Sequence, residues 1–197
     1  MRSFFIALAL LFTVSCGTLL SDQDVCKADW NGAIDSAFLT KVKADLKKGK
    51  SCEKFVVTLY SPGGSVFDTL EVVREMEEAK KYQIVEVHGR TWVASGATFI
   101  LGSGTKGHRF VHKRTVGLLH GIQLSNGWES QCGELKESPL TDNDKLLNAL
   151  ILTLIMEYAD AAGKSLEEVF SWLECNNTQI GPGEMFVKLG LADHVEG

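Results

Sequence analysis

Two short segments and one histidine contain the residue types that acyl-transfer chemistry requires. The first segment, Tyr60 to Ser65, reads YSPGGS, and the second, Val93 to Ala97, reads VASGA. His120 follows Ser95 by 25 positions. A serine hydroxyl can attack a carbonyl carbon, and a neighbouring histidine can accept its proton. Glycines that follow a strand can leave backbone N–H groups free to bind the oxyanion that forms.

The glycines of both segments are the candidate oxyanion and substrate-binding backbone: Gly63, Gly64 and Gly96. Gly64 and Gly96 are the predicted N–H donors, because glycine allows a close approach and an unusual φ. One such donor stabilises a transition state by about 3–4 kcal/mol. His120 is the predicted general base, and a histidine is suited to this role near neutral pH.

These segments must be positioned by the strands and helices around them. The chain alternates β-branched or aromatic runs with segments of helical period. The predicted strands are 55–60, 83–87 (ended by Gly89), 108–112 and 116–120, and the predicted helices between them are 66–81 and 92–101. This alternation predicts an α/β domain with largely parallel pairing. Ser95 then lies near a helix start, and His120 lies at the end of a strand.

The remaining segments add helices on both sides of this unit. Helices are predicted at 33–46, 141–162, 165–174 and 182–189, with an edge strand at 191–195. The longest helix is apolar nearly all round from Leu146 to Met156, so we expect it to be buried in its own core or against a second subunit. Residues 17–29 and 121–139 are predicted to be polar connections without regular structure.

Composition excludes several classes of function. The 197 residues suffice for one domain, and the formal net charge of −5 is spread without a basic block, so nucleic acid is not an expected partner. No cysteine pair has zinc-type spacing, and neither a metal nor another cofactor is expected. Four histidines lack a partner motif and are predicted to be surface or strand-end groups: His88, His108, His112 and His194.

The amino-terminal segment predicts export. Arg2 precedes an apolar run from Phe4 to Val14 that is too short to span a bilayer, which is typical of a signal peptide. We therefore assign residues 1–16 to a signal peptide, 17–29 to a connector and 30–197 to the folded domain. Cys16 follows a segment that resembles a bacterial lipobox, so either a lipid anchor at Cys16 or plain cleavage is open. The predicted location is the periplasm, free or lipid-anchored to the bacterial envelope.

The cysteine count agrees with an oxidising compartment. Apart from Cys16, the chain has four cysteines: Cys26, Cys52, Cys132 and Cys175. Four cysteines allow three connectivities for two disulfides. We favour Cys26–Cys52 and Cys132–Cys175, because each pair brackets one region of the presumed fold. The alternative is four free thiols.

Four motifs together resemble the Clp-type serine peptidases. Leu59 to Val66 is similar to their SPGGSV turn, and Gly89 to Ala97 is similar to their G-x-A-A-S-M segment. Leu118 to His120 resembles their M-I-H segment, and Lys188 to Asp193 resembles their Y-G-L-V-D tail. The likeness extends over about residues 30–197. It implies a ClpP/crotonase-like fold with a mostly parallel sheet, flanking helices and a long helix in the second half.

The resemblance also implies roles for the site residues. Ser95 takes the place of the nucleophile and His120 that of the base, while the aspartate that orients the histidine has no counterpart. Counting forward from Ser165, at the start of the helix predicted over 165–174, puts Asn176 at that place, and counting back from Gly190 puts Thr178 there. Asn176 can accept from the histidine Nδ1–H but carries no charge. Glu174 is a nearby carboxylate that could substitute.

Three functions remain open from the sequence. The first is an exported serine peptidase that cuts peptides or unfolded chains through an acyl-enzyme at Ser95. The second is a catalytically weak or inactive scaffold of the same fold, which Asn176 favours. The third, binding of an acyl-CoA thioester, is disfavoured because CoA is cytoplasmic. The resemblance implies homo-oligomers joined through the long helix. Clp-type enzymes work with cytoplasmic ATPases, and no such partner is expected for an exported chain.

Overall fold

The computed structural model describes residues 24–126, 129–133, 135–137, 139–174 and 178–197. Within these residues the helices are α1 (Ser36–Lys48), α2 (Val66–Lys80), α3 (Gly96–Gly102), α4 (Asp142–Ala162), α5 (Leu166–Leu173) and α6 (Glu184–Leu189). The strands are β1 (Val25–Asn31), β2 (Lys54–Ser61), β3 (Ile84–Ala94), β4 (Arg109–His112), β5 (Val116–Leu119), β6 (Gln123–Asn126), β7 (Glu129–Cys132), β8 (Gln179–Gly181) and β9 (His194–Glu196).

Seven of these strands form one sheet that is parallel except at one pair. Its order is β1-β2-β3-β4-β9, and β5 pairs with both β3 and β8. Only β5 and β8 run antiparallel within it, while β6 and β7 form a separate antiparallel pair. The sheet is therefore the mixed, mostly parallel α/β arrangement that the alternating pattern predicted.

One face of the sheet forms the core and the other is polar. In β2, Phe55, Val57 and Leu59 are buried beneath the helices, and the alternate residues are more exposed. Helices α1 and α2 contact each other, and their residues Val42, Val72 and Met76 are fully buried. The period of two in the strand therefore sends its apolar side chains to a single helix-covered face.

The prediction that the strand over 83–87 is ended by Gly89 is wrong. β3 continues to Ala94: Val87 to Gly89 pair with β4, and Trp92 to Ala94 pair with β5. Thr91 has a positive φ of 55°, which bends the strand where its neighbour changes. Gly89 fits within the strand because a Cβ there would lie 3.1 Å from Val93 Cγ2. The helix predicted from 92 accordingly begins only at Gly96.

Strand β1 begins within the segment 17–29 that was predicted to be a connector, and it ends at Asn31. It pairs in parallel with β2 over its whole length, from Val25 opposite Lys54 to Asn31 opposite Tyr60. Charged residues alternate with apolar ones, and Trp30 is fully buried while Lys27 and Asp29 are exposed. This alternation is typical of an edge strand with one solvated face. Because such a strand resembles a polar loop in composition, the sequence alone did not indicate it.

One further boundary differs from the prediction, and three strands were not predicted. The first helix begins at Ser36, because the Asp35 side chain caps it by accepting from Ala37 N and Phe38 N. The β6–β7 pair falls within the segment predicted to be irregular. Strand β8 pairs with β5, and its three residues are too few to give a sequence pattern.

Helix α4 is buried along one side only. Its buried residues are Ile151, Leu154, Ile155, Tyr158, Ala159 and Ala162. Leu146, Leu152 and Met156 are 61%, 48% and 60% exposed. We expected α4 to be buried on several sides, and within a single chain it is not. Thr141 and Asp144 form a capping box at its start, and Gly163 ends it in the left-handed conformation.

Cys26 and Cys52 form a disulfide, as the preferred pairing predicted. The bond connects β1 to the loop that precedes β2. A crosslink over 26 residues stabilises a folded chain by about 3 kcal/mol through its effect on the unfolded ensemble. Cys16 and Cys175 lie outside the described residues, and so does the side chain of Cys132.

In the described part of the chain, no single helix is long and apolar enough to cross a membrane. Helices α4 and α5 pass that test only when taken as one pair, which is bent by 119°.

A buried ion pair connects α4 to the sheet. Arg109 is 3% exposed, and its Nη2 lies 2.6 Å from Asp193 Oδ1. Arg109 Nη1 donates to the carbonyl oxygens of Gly102 and Ala161, at the ends of α3 and α4. Burial acts to raise the pKa of Asp193, but the hydrogen bonds and charge of Arg109 outweigh it and hold that pKa below its usual 3.8.

This ion pair predicts a specific acid sensitivity. Asp193→Asn leaves the Arg109 guanidinium buried without a counter-charge, and we expect the free energy of unfolding at pH 7 to fall by about 3 kcal/mol. Because the folded pKa of Asp193 is lowered, its carboxylate stabilises the fold above pH 3.8, and this stabilisation disappears as the pH falls through the folded value. The difference between wild type and variant should therefore shrink below pH 4 in urea titrations.

The matched control is Asp142→Asn, which removes an ion pair whose carboxylate is 97% exposed. We expect this variant to change the free energy of unfolding by under about 0.5 kcal/mol. A difference between wild type and Asp193→Asn that stays constant from pH 7 to pH 2 would contradict the assigned role of the pair.

Candidate active site

Three adjacent parallel strands end at the same edge of the sheet and bring the predicted site residues together. Ala94 pairs with Leu118, so Ser95 follows β3 at the level where His120 follows β5. The Gly63–Gly64 turn follows β2, whose Ser61 pairs with Val93. Ligand sites in parallel sheets lie at the carboxyl ends of strands, because the turns there converge.

The backbone of Gly64 faces away from the chain that supports it. Gly64 forms an isolated parallel bridge with Ile34, whose N–H donates to Gly63 O and whose carbonyl accepts from Ser65 N. In a parallel bridge these two bonds flank the bridged residue, so the N–H of Gly64 itself points to the opposite side. That side borders the cavity, which leaves the Gly64 N–H available as a donor.

Gly63 serves packing rather than donation. Its N–H donates to Ser61 Oγ at 3.0 Å within the protein interior, so it is not available to an oxyanion. Its φ is 91°, and a Cβ placed there would lie 2.5 Å from Ser95 Cβ and 2.7 Å from Ala94 O. Only glycine therefore lets the turn after β2 lie directly against Ser95.

Ser95 occupies a strained turn between β3 and α3. Its φ is 54° and its ψ is −129°, a backbone conformation that side-chain-bearing residues seldom adopt. Its N–H donates to Leu118 O at 2.6 Å, which holds the residue against β5. The Ser95 side chain does not cap the helix, and Ser95 is one of the residues that line the cavity. A nucleophilic serine at a strand-to-helix turn has this arrangement.

Gly96 provides the second N–H at this edge. It is the first residue of α3, and the first N–H groups of a helix have no partner within the helix. A Cβ at Gly63 would lie 3.1 Å from Gly96 N, so this nitrogen lies against the glycine turn. A Cβ on Gly96 would lie 2.3 Å from Thr69 Oγ1, and α2 thus packs on Gly96 directly.

The tautomer of His120 follows from the hydrogen-bond partner of its Nδ1 among the described residues. Nδ1 lies 2.6 Å from the Gly121 carbonyl oxygen. A carbonyl oxygen only accepts, so Nδ1 carries a proton, and in the neutral ring the lone pair is on Nε2. A backbone carbonyl therefore orients the imidazole in the described structure. A neutral carbonyl fixes the ring but adds no negative charge beside it.

Ser95 and His120 line one cavity of about 100 Å³. No hydrogen bond joins the Ser95 hydroxyl to His120 in the described structure, and such bonds are often long until substrate binds. The remaining cavity wall is mainly apolar and comes from Val66, Phe99, Ile122, Ile151, Leu154 and Leu173. No Asp, Glu, Lys or Arg is among the described residues that line it.

The third catalytic position stays a prediction. Asn176 lies outside the described residues. Thr178 and Glu174 are both exposed, and neither lines the cavity. Glu174, the alternative carboxylate, therefore has no contact with the site in the described structure.

The other histidines lie on the polar face of the sheet. His88 Nε2 and His108 Nδ1 both lie within hydrogen-bond distance of Glu86, and Phe110 stacks between His88 and His194. Burial acts to raise the pKa of Glu86, but hydrogen bonds from both histidines and Lys54 lower it to about 2. No set of His, Cys, Asp or Glu side chains suited to a metal ion occurs in the described ranges.

Sequence reasoning missed three residues that contact the site backbone. Thr98 Oγ1 donates to Ser95 O at 2.6 Å, and Tyr158 OH lies 2.7 Å from Thr98 Oγ1. Thr69 Oγ1 donates to Ser65 O and packs against Gly96. Thr98 alone gave a local signal, since a hydroxyl three residues after a helix start can reach the cap carbonyl. Tyr158 is 63 positions from Ser95, and no sequence pattern connects them.

The family model that describes the Clp proteases matches residues 29–196. The chain belongs to the Clp protease family. No curated protein matches it. The match confirms the family inferred from the four motifs and agrees with the mostly parallel α/β fold. Clp proteases typically form oligomers and bind peptide substrates.

The assigned tautomer can be measured directly. At neutral pH we expect His120 to be protonated at Nδ1, because only that form can donate to Gly121 O. His112 is a matched internal control, since its Nδ1 accepts from Arg114 N and must carry the lone pair. Long-range ¹H–¹⁵N NMR correlations should thus give opposite tautomers for the two rings. A His120 ring with its proton on Nε2 would overturn the assignment.

Proposed function

We propose that the protein is an exported serine peptidase that hydrolyses peptide bonds through an acyl-enzyme at Ser95. The observation that carries this proposal is the strained Ser95 turn, which shares one cavity with His120 and with two backbone N–H groups. A serine held only for packing gains nothing from an unfavourable φ. The neighbouring glycine turn is also shaped to lie against it.

The proposed chemistry uses groups of this chain alone. His120 Nε2 takes the proton from Ser95 Oγ as that oxygen attacks the peptide carbonyl carbon, and the carbonyl electrons move to its oxygen. The N–H groups of Gly64 and Gly96 bind this oxyanion. Collapse expels the amine, which receives its proton from His120. A water molecule, activated by the same histidine, then hydrolyses the ester.

The orientation of His120 limits the expected rate. A carbonyl or an asparagine can hold the Nδ1–H but cannot stabilise the imidazolium by charge. In serine proteases an Asp-to-Asn change at this position lowers kcat by about 10⁴-fold. We therefore propose a slow peptidase. Asn176 remains the proposed third residue, on the basis of the family resemblance; in that role its side-chain oxygen would share the Nδ1–H with the Gly121 carbonyl or replace it as the acceptor.

The cavity wall indicates the class of substrate. The apolar residues beside Ser95 and the absence of charged side chains among the described lining residues favour an uncharged, apolar side chain next to the scissile bond. A peptide or an unfolded segment can present its backbone to the Gly64 turn, since its N–H and C=O groups are not bound in secondary structure. We propose peptides and unfolded chains as substrates.

Export is part of the proposal and has independent support. The Cys26–Cys52 disulfide is typical of an oxidising compartment such as the periplasm. The predicted signal peptide over residues 1–16 and a lipid at Cys16 would place the domain at the envelope. Cytoplasmic ATPases would then be out of reach, and substrates would have to arrive already unfolded.

A weakly active or inactive scaffold is the second candidate. It is favoured by the missing hydrogen bond between Ser95 and His120 and by the lack of any carboxylate among the described lining residues. In this case the cavity would bind peptide segments without turnover.

We also propose that copies of this chain associate through α4. Leu152 and Met156 lie four residues apart on α4, and Leu146 extends their exposed apolar surface toward its start. An exposed apolar surface of this kind is more typical of an interface than of a solvated helix. The oligomers typical of the family make a second copy the proposed partner.

The nucleophile is tested with a fluorophosphonate probe and a peptide substrate. Ser95→Ala should abolish labelling and lower peptide hydrolysis by at least about 10³-fold, because the attacking oxygen is removed. Ser36→Ala, an exposed serine at the start of α1, is the control and should keep both activities. Labelling that survives in Ser95→Ala would refute the proposed nucleophile.

Asn176→Asp separates the slow enzyme from the scaffold. A carboxylate beside the imidazole should raise kcat by about tenfold or more without a matching change in KM. If the folded wild type and Asn176→Asp are both unreactive toward probe and peptide, the scaffold is the better account.

The proposed association through α4 predicts a change in mass. The wild type should sediment at several times its monomer mass at micromolar concentration. The double variant Leu152→Glu, Met156→Glu should sediment as a monomer, because like charges would face each other across the interface. Tyr82→Glu, also at an exposed apolar residue, should leave the mass unchanged. A monomeric wild type would rule out this interface.

A further inference from the structure

Two buried hydroxyl groups connect α4 to the backbone of Ser95. Thr98 is fully buried and Tyr158 is 4% exposed, and the Tyr158 ring stacks on Phe99 with centroids 4.7 Å apart. Thr98 Oγ1 lies 2.6 Å from Ser95 O and 2.7 Å from Tyr158 OH. The Thr98 backbone N–H also donates to Ser95 O, at 2.9 Å.

The direction of these bonds follows from donor counting. The Thr98 hydroxyl has one hydrogen, which it donates to Ser95 O. Its oxygen must then accept from Tyr158 OH, so the chain runs from Tyr158 to Thr98 to Ser95 O. Tyr158 OH is also 3.4 Å from Ser95 O, a longer alternative. Burial raises the pKa of Tyr158, so this hydroxyl keeps its proton over the working range of pH.

The Ser95 carbonyl and the Gly96 N–H belong to one rigid unit. The peptide bond is planar and trans, so its C=O and N–H point in opposite directions. The hydrogen bonds that hold Ser95 O toward Thr98 therefore point the Gly96 N–H the opposite way, outward from the amino-terminal end of α3. The Gly63–Gly64 turn lies on that side, against the Gly96 nitrogen.

We propose that Thr98 and Tyr158 are positioning residues that hold the Ser95–Gly96 peptide with its N–H toward the oxyanion. This inference rests on the proposed role of Gly96 in the peptidase. Ser95 needs such support because its φ of 54° is unfavourable and could relax by rotation of this peptide. The preceding peptide is held independently, since Ser95 N donates to Leu118 O.

The test uses variants that delete or keep each hydroxyl. Tyr158→Phe keeps the ring stacked on Phe99, Thr98→Val keeps the shape of the side chain, and Thr98→Ser keeps the hydroxyl. We expect kcat for peptide hydrolysis to fall about tenfold in Tyr158→Phe and about 10- to 100-fold in Thr98→Val, with KM nearly unchanged. Thr98→Ser should restore most of the rate.

A peptide boronate, which forms a tetrahedral adduct with the serine, distinguishes positioning from a general loss of structure. Its affinity should fall by the same factor as kcat in each variant, because both depend on the oxyanion. Thr40→Val removes a similar hydroxyl bond, to Ser36 O on α1, and Tyr82→Phe removes an exposed hydroxyl. Both controls should leave kcat and boronate affinity unchanged.

The inference is overturned if Thr98→Val and Tyr158→Phe fold and keep kcat and boronate affinity within about twofold. Loss through KM alone would also overturn it. If the wild type is unreactive, the proposed peptidase activity is wrong. The positioning of the Ser95–Gly96 peptide can then still be tested through the Gly96 amide resonance in ¹H–¹⁵N NMR spectra. A held peptide predicts a large shift of this resonance in both variants and none in the controls; an unchanged resonance contradicts it.

Discussion

The candidate site depends on the constraint that both peptide planes beside Ser95 are held. The Ser95 N–H is bound to Leu118 O on β5, and the Ser95 carbonyl accepts from the hydroxyl and the N–H of Thr98. Between these anchors the residue adopts a φ of 54°. A free serine would relax, so the turn exists because the parallel pairing of β3 and β5 continues up to Ala94 and Leu118.

The same pairing explains why residues far apart in the sequence converge. Parallel strands place their carboxyl ends at one edge, so the turns after β2, β3 and β5 contribute Gly64, Ser95 and His120 to a single cavity wall. Helix α4 closes the opposite wall with Ile151, Leu154 and Tyr158. Arg109 and Asp193 then attach the end of α4 to the sheet. The site is thus assembled by non-local contacts, although each contributing segment is short.

Local patterns in the sequence predicted the elements that carry strong signals. The apolar run of β2, the glycine turn and the long helix α4 all appear where they were expected, and so does the Cys26–Cys52 disulfide. β1 was missed because charged residues alternate with apolar ones along it, so its composition resembles that of a polar loop. Its pairing with β2 shows that this segment is a strand. The end of β3 was misplaced because a glycine usually interrupts a strand. Here Gly89 lies inside the strand, and Val93 packs into the space that a side chain at this position would occupy. The contact of Tyr158 with Thr98 has no local signal at all.

The position of His120 shows why geometry adds to residue type. Its spacing from Ser95 indicated a base, but the Gly121 carbonyl that orients its Nδ1 becomes visible only in the fold. The consequence is a site with a directed imidazole and two backbone donors, without a described carboxylate in its wall. The described part of this site has the groups proposed for acyl transfer and no carboxylate among its lining residues, which is why slow turnover is proposed.

The most direct test of the central claim is a crystal structure of the protein with a peptide boronate. Our account predicts a covalent bond from boron to Ser95 Oγ, with one boronate oxygen within hydrogen-bond distance of both Gly64 N and Gly96 N and another near His120 Nε2. A boronate bound to a different residue, or bound to Ser95 with its oxygens remote from both amides, would contradict the account.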